Sequence, residues 1–418
     1  MPYPTTQTAA PPIRMARPEA ERIEAMVRHL VDFHDVAPAD IRVVKAPFRI
    51  CPLGAHIDHQ LGLVTGMTLD RSILLAFAPT TDGTIQLHST NFELDVLFDL
   101  EAVPAYQRGD WGNYIRGAAL ALQRHYPLPV GLVGVVSGDL PIGGLSSSAA
   151  VTIAYLLALE SLNHLEVSPR ENVSLVRFTE NEYIGLNNGI LDQTVILFSE
   201  HNHLTLIDCE SVEIERVPAA MPEQSFEILA VYSGLSHALV GTDYNNRVAE
   251  CQEAAGLLLG FAGRSPAAGP RLRQVDPEIF AAEGHRLPPL LRRRATHYFG
   301  EMQRVIDGVA AWRQGNLSEF GALMNRSGES SIKYYECGSP QLITLYNILR
   351  QTPGVYGTRF SGAGFRGNCI ALIDPAARES IAETIHRHYP AAHPAEAEKY
   401  TIHFCRPDGR AHLTSWSR

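Results

Sequence analysis

The sequence predicts a two-domain protein of the α/β (α+β) class. The chain has 418 residues, enough for two domains of about 200 residues that each bury a core. Strand and helix patterns are mixed in the first half of the chain, and helical patterns dominate the second half. A strand at 226–232 marks the change. We therefore expect a flexible N-terminal tail over 1–20, a first domain over 21–222 and a second domain over 223–418.

The first domain is expected to combine a mixed or antiparallel sheet with several helices. Alternating apolar and polar residues, or runs of β-branched residues, predict strands over 41–50, 61–78, 85–98 and 130–137, and a hairpin over 204–217. Apolar residues at helical spacing predict helices over 20–35, 110–123, 151–163, 170–186 and 190–199.

The second domain is expected to be more helical. After the strand at 226–232, helical patterns cover 246–262, 290–313, 317–331 and 340–351. A hairpin-like stretch over 357–373 follows them and contains a Gly-rich segment. The chain shows no internal repeat.

Composition excludes several classes of protein. A net charge of −10 disfavours nonspecific binding to nucleic acid. The longest apolar run, at 130–136, is too short to cross a bilayer, and the first twenty residues lack the apolar core of a secretory signal. The six cysteines are scattered without a CxxC pair, which favours reduced thiols in the cytoplasm over a zinc site. The oligomeric state stays open, a monomer included.

The segment 49–60 concentrates polar groups behind a predicted strand. It begins with Arg49, crosses an apolar stretch and ends with His56, Asp58, His59 and Gln60. In isolation, such a cluster is also compatible with a solvated turn. Three Gly-rich or acidic stretches downstream favour a phosphate-handling site instead.

A second motif at 138–150 joins a predicted strand to a long helix. Its Gly-Gly-Leu-Ser-Ser-Ser core is typical of anion binding, because glycines let the backbone approach a phosphate and helix N–H groups point at it. It is not a Walker A loop, since no Gly-Lys-Ser/Thr follows. The structural alternative is a tight turn with a serine N-cap.

Two carboxylates and a third Gly-rich stretch complete the candidate site. Glu180 and Asp192 supply hard oxygen for Mg²⁺ and a group that accepts or orients the proton of an attacking hydroxyl. Glu182 is expected to face solvent. The stretch 362–367 predicts a tight hairpin or a wall over the ligands, and Tyr244 offers a polar contact at the start of a helix.

Together these stretches resemble the GHMP kinase superfamily, and within it the galactokinase branch, over most of residues 40–370. The resemblance implies the two-domain GHMP kinase fold, with the active site in the cleft between the domains. It also implies ATP-dependent phosphorylation of the anomeric hydroxyl of a sugar. ATP and Mg²⁺ are the expected cofactors, and a small sugar acid is the expected partner.

The resemblance also assigns roles to individual residues. Asp192 is the implied catalytic base, Arg49 stabilises the transferring phosphoryl group, and Ser148 and Glu180 hold Mg²⁺. The implied ATP-phosphate contacts are Pro141, Gly143, Gly144, Leu145, Ser146 and Ser147. The implied sugar contacts are His56, Asp58 and Tyr244. Ala55, His59 and Arg366 are further candidate sugar contacts, at positions that differ from the family.

Two departures from the galactokinase pattern stand out. The phosphate loop is one residue shorter after Pro141 than the usual Pro-x-Gly-x-Gly-Leu-Ser-Ser. Galactokinases carry Gly-Glu-His-x-Asp-Tyr where this chain has Ala55 and His59, and Arg366 stands where a Gly is usual. In that family the Glu binds the hydroxyl on carbon 6 of galactose. In these positions the chain looks like the galacturonokinases of plants.

Electrostatics supports a carboxylate on carbon 6 of the substrate. A Glu ~4 Å from a uronate carboxylate would cost about 4 kcal/mol at an effective dielectric near 20, which is roughly a thousandfold in binding. Ala55 removes that repulsion, and Arg366 and His59 are candidate partners for the carboxylate. The sequence therefore predicts a D-galacturonate 1-kinase. The alternatives are a galactokinase or another hexose 1-kinase, or an inactive sugar and ATP sensor, which would not need Arg49, Glu180 and Asp192.

Overall fold

The computed structural model describes residues 12–141, 143–235, 243–265, 268–414 and 416. The strands are β1 Arg42–Ile50, β2 Leu63–Thr80, β3 Thr84–Ser89, β4 Val96–Asp99, β5 Gly131–Gly138, β6 His203–Asp208, β7 Glu213–Pro218, β8 Glu227–Tyr232, β9 Val355–Phe360, β10 Asn368–Ile373, β11 Thr401–Cys405, β12 Pro407–Asp408 and β13 His412–Thr414. The α-helices are α1 Glu19–His34, α2 Asn113–Gln123, α3 Ser147–Leu162, α4 Pro169–Arg177, α5 Leu191–Phe198, α6 Tyr244–Phe261, α7 Pro277–Glu283, α8 Pro289–Arg313, α9 Leu317–Ser330, α10 Pro340–Leu349 and α11 Arg378–Ala392.

The first sheet is mixed and is organised around the long strand β2. Its main path runs β13-β1-β2-β5-β3-β4, all antiparallel except for the β3–β5 pair. The hairpin of β6 and β7 joins through β2, and β12 pairs with β2 as well. Strands β1 and β2 are buried along nearly their whole length because α3 packs on one face of this part of the sheet and α1 packs on the other. This packing brings the end of β1 and the start of α3 to one edge of the sheet.

The second sheet is smaller and antiparallel. Its order is β11-β8-β10-β9, and every residue of β8 and β10 is buried. Helix α9 packs closely on β9, with Gly321 and Gly357 in backbone contact: a Cβ on Gly357 would lie 2.0 Å from the Gly321 carbonyl oxygen. Helix α8 packs on α9 and also contacts β2, so it links the first sheet to the helix that packs on the second sheet.

The structure confirms most predicted elements and corrects several boundaries. The strand predicted over 85–98 is two strands, because residues 91–95 turn through solvent and Asn91 is held by the Ser89 side chain. The helix predicted over 170–186 changes character: α4 ends at Arg177 and a π-helical segment, Phe178–Tyr183, follows it. A second π-helical segment, Ser331–Tyr335, follows α9.

Near both ends of the chain, described residues pair with distant strands. Ile13 forms a bridge with Ile402 and α1 begins at Glu19, so the described part of the expected tail is held in place. At the other end, β12 and β13 return to the first sheet. The boundary at 222/223 falls between the two sheets and stays a prediction about domains. The six cysteines are free and buried.

Within the described residues, the helices are too short or too polar for any of them to cross a membrane.

Candidate active site

The predicted base and the predicted cation are in direct contact. Arg49, at the end of β1, donates from Nε to Asp192 Oδ1 at 2.8 Å, and its Nη1 donates to the Gly144 carbonyl oxygen at 3.2 Å. The other carboxylate oxygen of Asp192 accepts a hydrogen bond from the Ser146 hydroxyl. Asp192 lies in the first turn of α5 and is partly accessible. Strand, loop and helix thus meet at one carboxylate.

The phosphate loop turns sharply at the start of α3. Ser146 has a φ of 59° and occupies the N-cap position, but its side chain bonds to Asp192 and does not cap the helix. The hydroxyls of Ser147 and Ser148 line the same cavity as Asp192. The Ser146 side chain therefore does not act as the N-cap that the structural alternative predicts. The first N–H groups of α3 remain available to an anion.

The two Gly-rich loops pack backbone against backbone. A Cβ on Gly362 would lie 2.6 Å from Gly144 Cα, and one on Gly367 would lie 2.5 Å from the Gly143 carbonyl oxygen. Asn368 Nδ2 donates to that same oxygen at 2.5 Å. Side chains would not fit at these crossings. The loop of the second sheet therefore closes directly over the phosphate loop.

Glu180 is placed in the cavity by a π-helical turn. Its side chain is buried, Asn188 Nδ2 donates to Oε2 at 2.6 Å, and Oε1 has no hydrogen-bond partner among the described residues. Burial, and then the charge of Asp192, raise the pKa of Glu180 to about 7. An orphaned hard oxygen beside Ser148 fits a divalent cation such as Mg²⁺. The described residues contain no cluster of three metal-binding side chains, so phosphate oxygens would have to complete the coordination.

The turn at 54–60 is strained and buried. His56 has a φ of 61° and stacks on Tyr335 of the second π-helical segment, with ring centroids 4.3 Å apart. Burial, followed by the charge of Arg359, lowers the pKa of His56 well below its usual value, so the ring is neutral. Asp58 packs against Gly189, where a Cβ would lie 2.4 Å from Asp58 Oδ2. Burial, and then the charge of Asp192, raise the pKa of Asp58 to about 6.

Helix α8 holds the backbone of this turn. Glu301 Oε2 accepts from the N–H groups of Gly54 at 3.0 Å and Ala55 at 3.3 Å. His297 Nε2 donates to the Ala55 carbonyl oxygen at 2.9 Å. Although burial alone would raise the pKa of Glu301, the charges of Arg304, His297 and Arg359 lower it, so the carboxylate is ionised. Sequence reasoning missed these residues; a polar pair four residues apart on the buried face of α8 was the available signal.

One cavity brings together most of the residues predicted from the sequence. Its wall includes Arg49, Ala55, His56, Asp58, Gly143, Gly144, Ser146, Ser147, Ser148, Glu180, Asp192, Tyr244 and Arg366. The wall does not include Pro141, Leu145 or His59. The His59 ring is buried between Gln60 and Tyr335, and burial lowers its pKa to about 3, so it carries no positive charge toward the cavity. Tyr244 begins α6, and residues 236–242 just before it lie outside the described residues.

A second cavity opens beside the phosphate loop. Ser147, Ser148 and Tyr114 line both cavities, so the two are adjacent. The second is lined mainly by apolar side chains and includes Trp111, whose ring is nearly parallel to that of Phe92 at 5.8 Å. In the sequence, this cavity is marked only by the Asp-Trp-Gly-Asn-Tyr run at 110–114, which predicts the start of a helix.

Comparisons with known proteins agree with this geometry. The family of GHMP kinases N terminal domains matches residues 113–200, and that of GHMP kinases C terminal matches residues 309–391. The chain is 48% identical over 375 residues to a galacturonokinase of Arabidopsis thaliana, covering 85% of this chain and 88% of the relative. It is 33% identical over 365 residues to a galactokinase of Roseiflexus sp. (strain RS-1), covering 87% and 90%.

Solved structures give the same result. Lactococcus lactis galactokinase complexed with galactose has a TM-score of 0.85 at 28% identity, covering 94% of this chain and 99% of that one. A Methanococcus jannaschii mevalonate kinase, at 17% identity and a TM-score of 0.61, shares the fold and covers 87% and 98%. The chain belongs to the GHMP kinase family, in the branch of galactokinases and galacturonokinases. It is accordingly an ATP-dependent sugar kinase.

Proposed function

We propose that this kinase transfers the γ-phosphoryl group of ATP to the anomeric hydroxyl of D-galacturonate, giving galacturonate 1-phosphate and ADP. The observation that carries the proposal is Ala55, which lies on the cavity wall where galactokinases have a glutamate. Glu301 lies behind the turn but binds the backbone N–H groups and pairs with Arg304. The wall at Ala55 thus has room for a carboxylate. The 48% identity to a galacturonokinase supports the same substrate.

In the reaction we propose, the protein takes up only the proton of the anomeric hydroxyl. The anomeric oxygen attacks the γ-phosphorus, its proton passes to Asp192, and ADP leaves with the oxygen that bridged the two phosphates. Asp192 is oriented by Arg49 on one oxygen and by Ser146 on the other. The same guanidinium stabilises the charge on the transferring group. Catalysis of this kind rests on positioning and electrostatics.

Mg²⁺ would be held by Glu180 and Ser148, together with ATP. When bound, the ion neutralises charge on the phosphate oxygens. Glu180, Ser148 and Asp192 line one cavity, which keeps a cation site close to the transferring group. The protein's own contribution is to bury the carboxylate and hold it with Asn188.

Glu180→Gln should weaken the binding of Mg²⁺ without unfolding the protein. The amide keeps the shape but removes the charge that a hard cation prefers. We expect the Mg²⁺ concentration for half-maximal activity to rise about tenfold, equivalent to about 1.4 kcal/mol. The matched control is Glu182→Gln on the same turn, because Glu182 is exposed and pairs only with Arg124 among the described residues. If both variants titrate like the parent, Glu180 is structural.

The nucleoside end of ATP would occupy the second cavity, with its base against Trp111. Trp111→Ala should raise KM for ATP about tenfold, because base–aromatic stacking is worth about 1–3 kcal/mol, and leave KM for the sugar nearly unchanged. Trp111→Phe keeps an aromatic face but loses the hydrogen bond from Nε1 to the Leu94 carbonyl oxygen. It should therefore retain most ATP affinity. Equal rises in both KM values would show that the helix start had been disturbed instead.

The substrate assignment is tested by ADP release with galacturonate, galactose, glucuronate and N-acetylgalactosamine. We expect galacturonate to give the highest kcat/KM, with the product phosphate on carbon 1 by ³¹P NMR. Higher efficiency on galactose would make the protein a galactokinase. Binding of sugar and ATP without turnover on any sugar would identify a sensor. A cytoplasmic location is also part of the proposal, since all six cysteines are free thiols.

A further inference from the structure

Arg359 is a buried arginine on the sugar cavity that lacks a carboxylate partner. It lies on β9, just before the Gly-rich loop, and is 1% exposed. Among the described residues, its side chain donates only to backbone carbonyl oxygens, from Nε to Phe360 at 2.9 Å and from Nη1 to Cys51 at 3.4 Å. Nη2 donates to no described residue. The charge of Arg359 contributes to the lowered pKa of Glu301, but that carboxylate is paired with Arg304 and lies beyond ion-pair distance of Arg359. A buried cation without an ion-pair partner is costly, so its presence here requires an explanation.

The other buried arginines all have a carboxylate in contact. The pairs are Arg22–Asp139, Arg49–Asp192, Arg71–Asp70, Arg116–Asp110 and Arg294–Glu250. No described acidic side chain lies within ion-pair distance of Arg359, and the residues outside the described ranges include no Asp or Glu. The chain therefore supplies no acidic side chain as a partner for Arg359.

The position of Arg359 fits a ligand carboxylate. It lines the same cavity as Ala55 and His56. Its hydrogen bond to the Cys51 carbonyl oxygen connects it to the segment that leads into the turn at 54–60. Arg49, the other buried arginine on the wall, is already engaged by Asp192, and Arg366 is exposed. The neutral rings of His56 and His59 cannot balance an anion.

We propose that Arg359 binds the carbon-6 carboxylate of the substrate, with Ala55 providing the space. This inference rests on the proposed function and names the group that selects the acid. The carboxylate would supply the missing counter-ion and accept from the guanidinium, while both groups stay shielded from water. The arrangement rewards a sugar acid over a neutral sugar of the same shape.

The test compares galacturonate with galacturonamide, its uncharged analogue of nearly equal size. In the parent, kcat/KM should favour the acid on the order of 10²-fold, because charge-assisted hydrogen bonds are replaced by neutral ones. In Arg359→Met that preference should fall to within about threefold. Arg359→Lys should retain an intermediate preference, since it keeps the charge but not the fork. The control, Arg366→Met, should keep the parent's preference.

The outcomes separate this inference from the proposed function. An undiminished preference in Arg359→Met and Arg359→Lys overturns the role of Arg359, and a preference lost only in Arg366→Met assigns the carboxylate to Arg366. A parent that does not phosphorylate galacturonate overturns the proposed function itself. Activity on galacturonamide shows that the Met variant is folded. If the Met variant does not fold, the Lys variant decides, and an unchanged preference there also overturns the proposal.

Discussion

Replacement of Asp192 by asparagine should lower kcat by roughly 10²–10⁴-fold, the usual contribution of a positioned base. The amide oxygen can still accept from Arg49, so the guanidinium should stay near its place. The amide cannot take up the proton of the sugar hydroxyl, and its NH₂ group cannot accept from Ser146. The loss should therefore appear in turnover and leave ground-state binding of ATP and sugar largely intact.

Single-turnover phosphorylation in Asp192→Asn is the appropriate measurement, together with calorimetric binding of sugar and ATP. Ser146→Ala is a useful companion, because it removes one orienting hydrogen bond and retains the base. We expect a smaller loss of kcat there, about tenfold, in line with one hydrogen bond to a charged group. Near-parental turnover in Asp192→Asn would remove Asp192 from the mechanism, and loss of binding would indicate a collapsed site.

The helices and strands that carry the site were predictable because local patterns set them. The strand 41–50, the strand 130–137 and the helix 190–199 all appear within a few residues of their predicted bounds. Each has either a continuous apolar run or a clear period, and each ends at a Gly-rich or polar stretch. Motif order then placed Arg49, the phosphate loop and Asp192 at one site.

The parts that could not be predicted depend on packing between distant segments. A π-helical turn places Glu180, and another places Tyr335, yet both stretches have an ordinary helical pattern. After the second sheet is complete, the short strands β12 and β13 pair with the first sheet. Their pairing depends on contacts with strands far away in the sequence. Neither the π-helical turns nor this strand pairing can be predicted from a short stretch of sequence.

Arg359 shows the same limit at the level of the site. In the sequence it is one charged residue in a predicted strand, and the Gly-rich loop beside it favours Arg366 as the candidate instead. Only its burial and its lack of an acidic partner distinguish it from the other arginines. His297 and Glu301 are similar, because their contact with the 54–55 backbone crosses more than 240 positions of sequence.

Ala55→Glu should abolish phosphorylation of galacturonate while leaving or modestly raising activity on galactose. Ala55 is buried on the cavity wall, so a longer acidic side chain has to enter the space assigned to the substrate carboxylate. Two carboxylates ~4 Å apart repel by about 4 kcal/mol at an effective dielectric near 20, or roughly a thousandfold in affinity. The new acid would also compete for Arg359, whereas the hydroxyl of galactose can donate to it.

The matched control is Ala55→Gln, which adds nearly the same volume without the charge. If repulsion is the cause, the ratio of kcat/KM for galacturonate over galactose should fall far more in the Glu variant than in the Gln variant. Because specificity is a difference of two affinities, comparing this ratio in the Glu and Gln variants separates charge repulsion from the effect of side-chain volume. Equal ratios in the two variants would mean that size alone excludes the acid. A parent ratio below one, or a ratio unaltered by Ala55→Glu, would show that the acidic substrate is wrong.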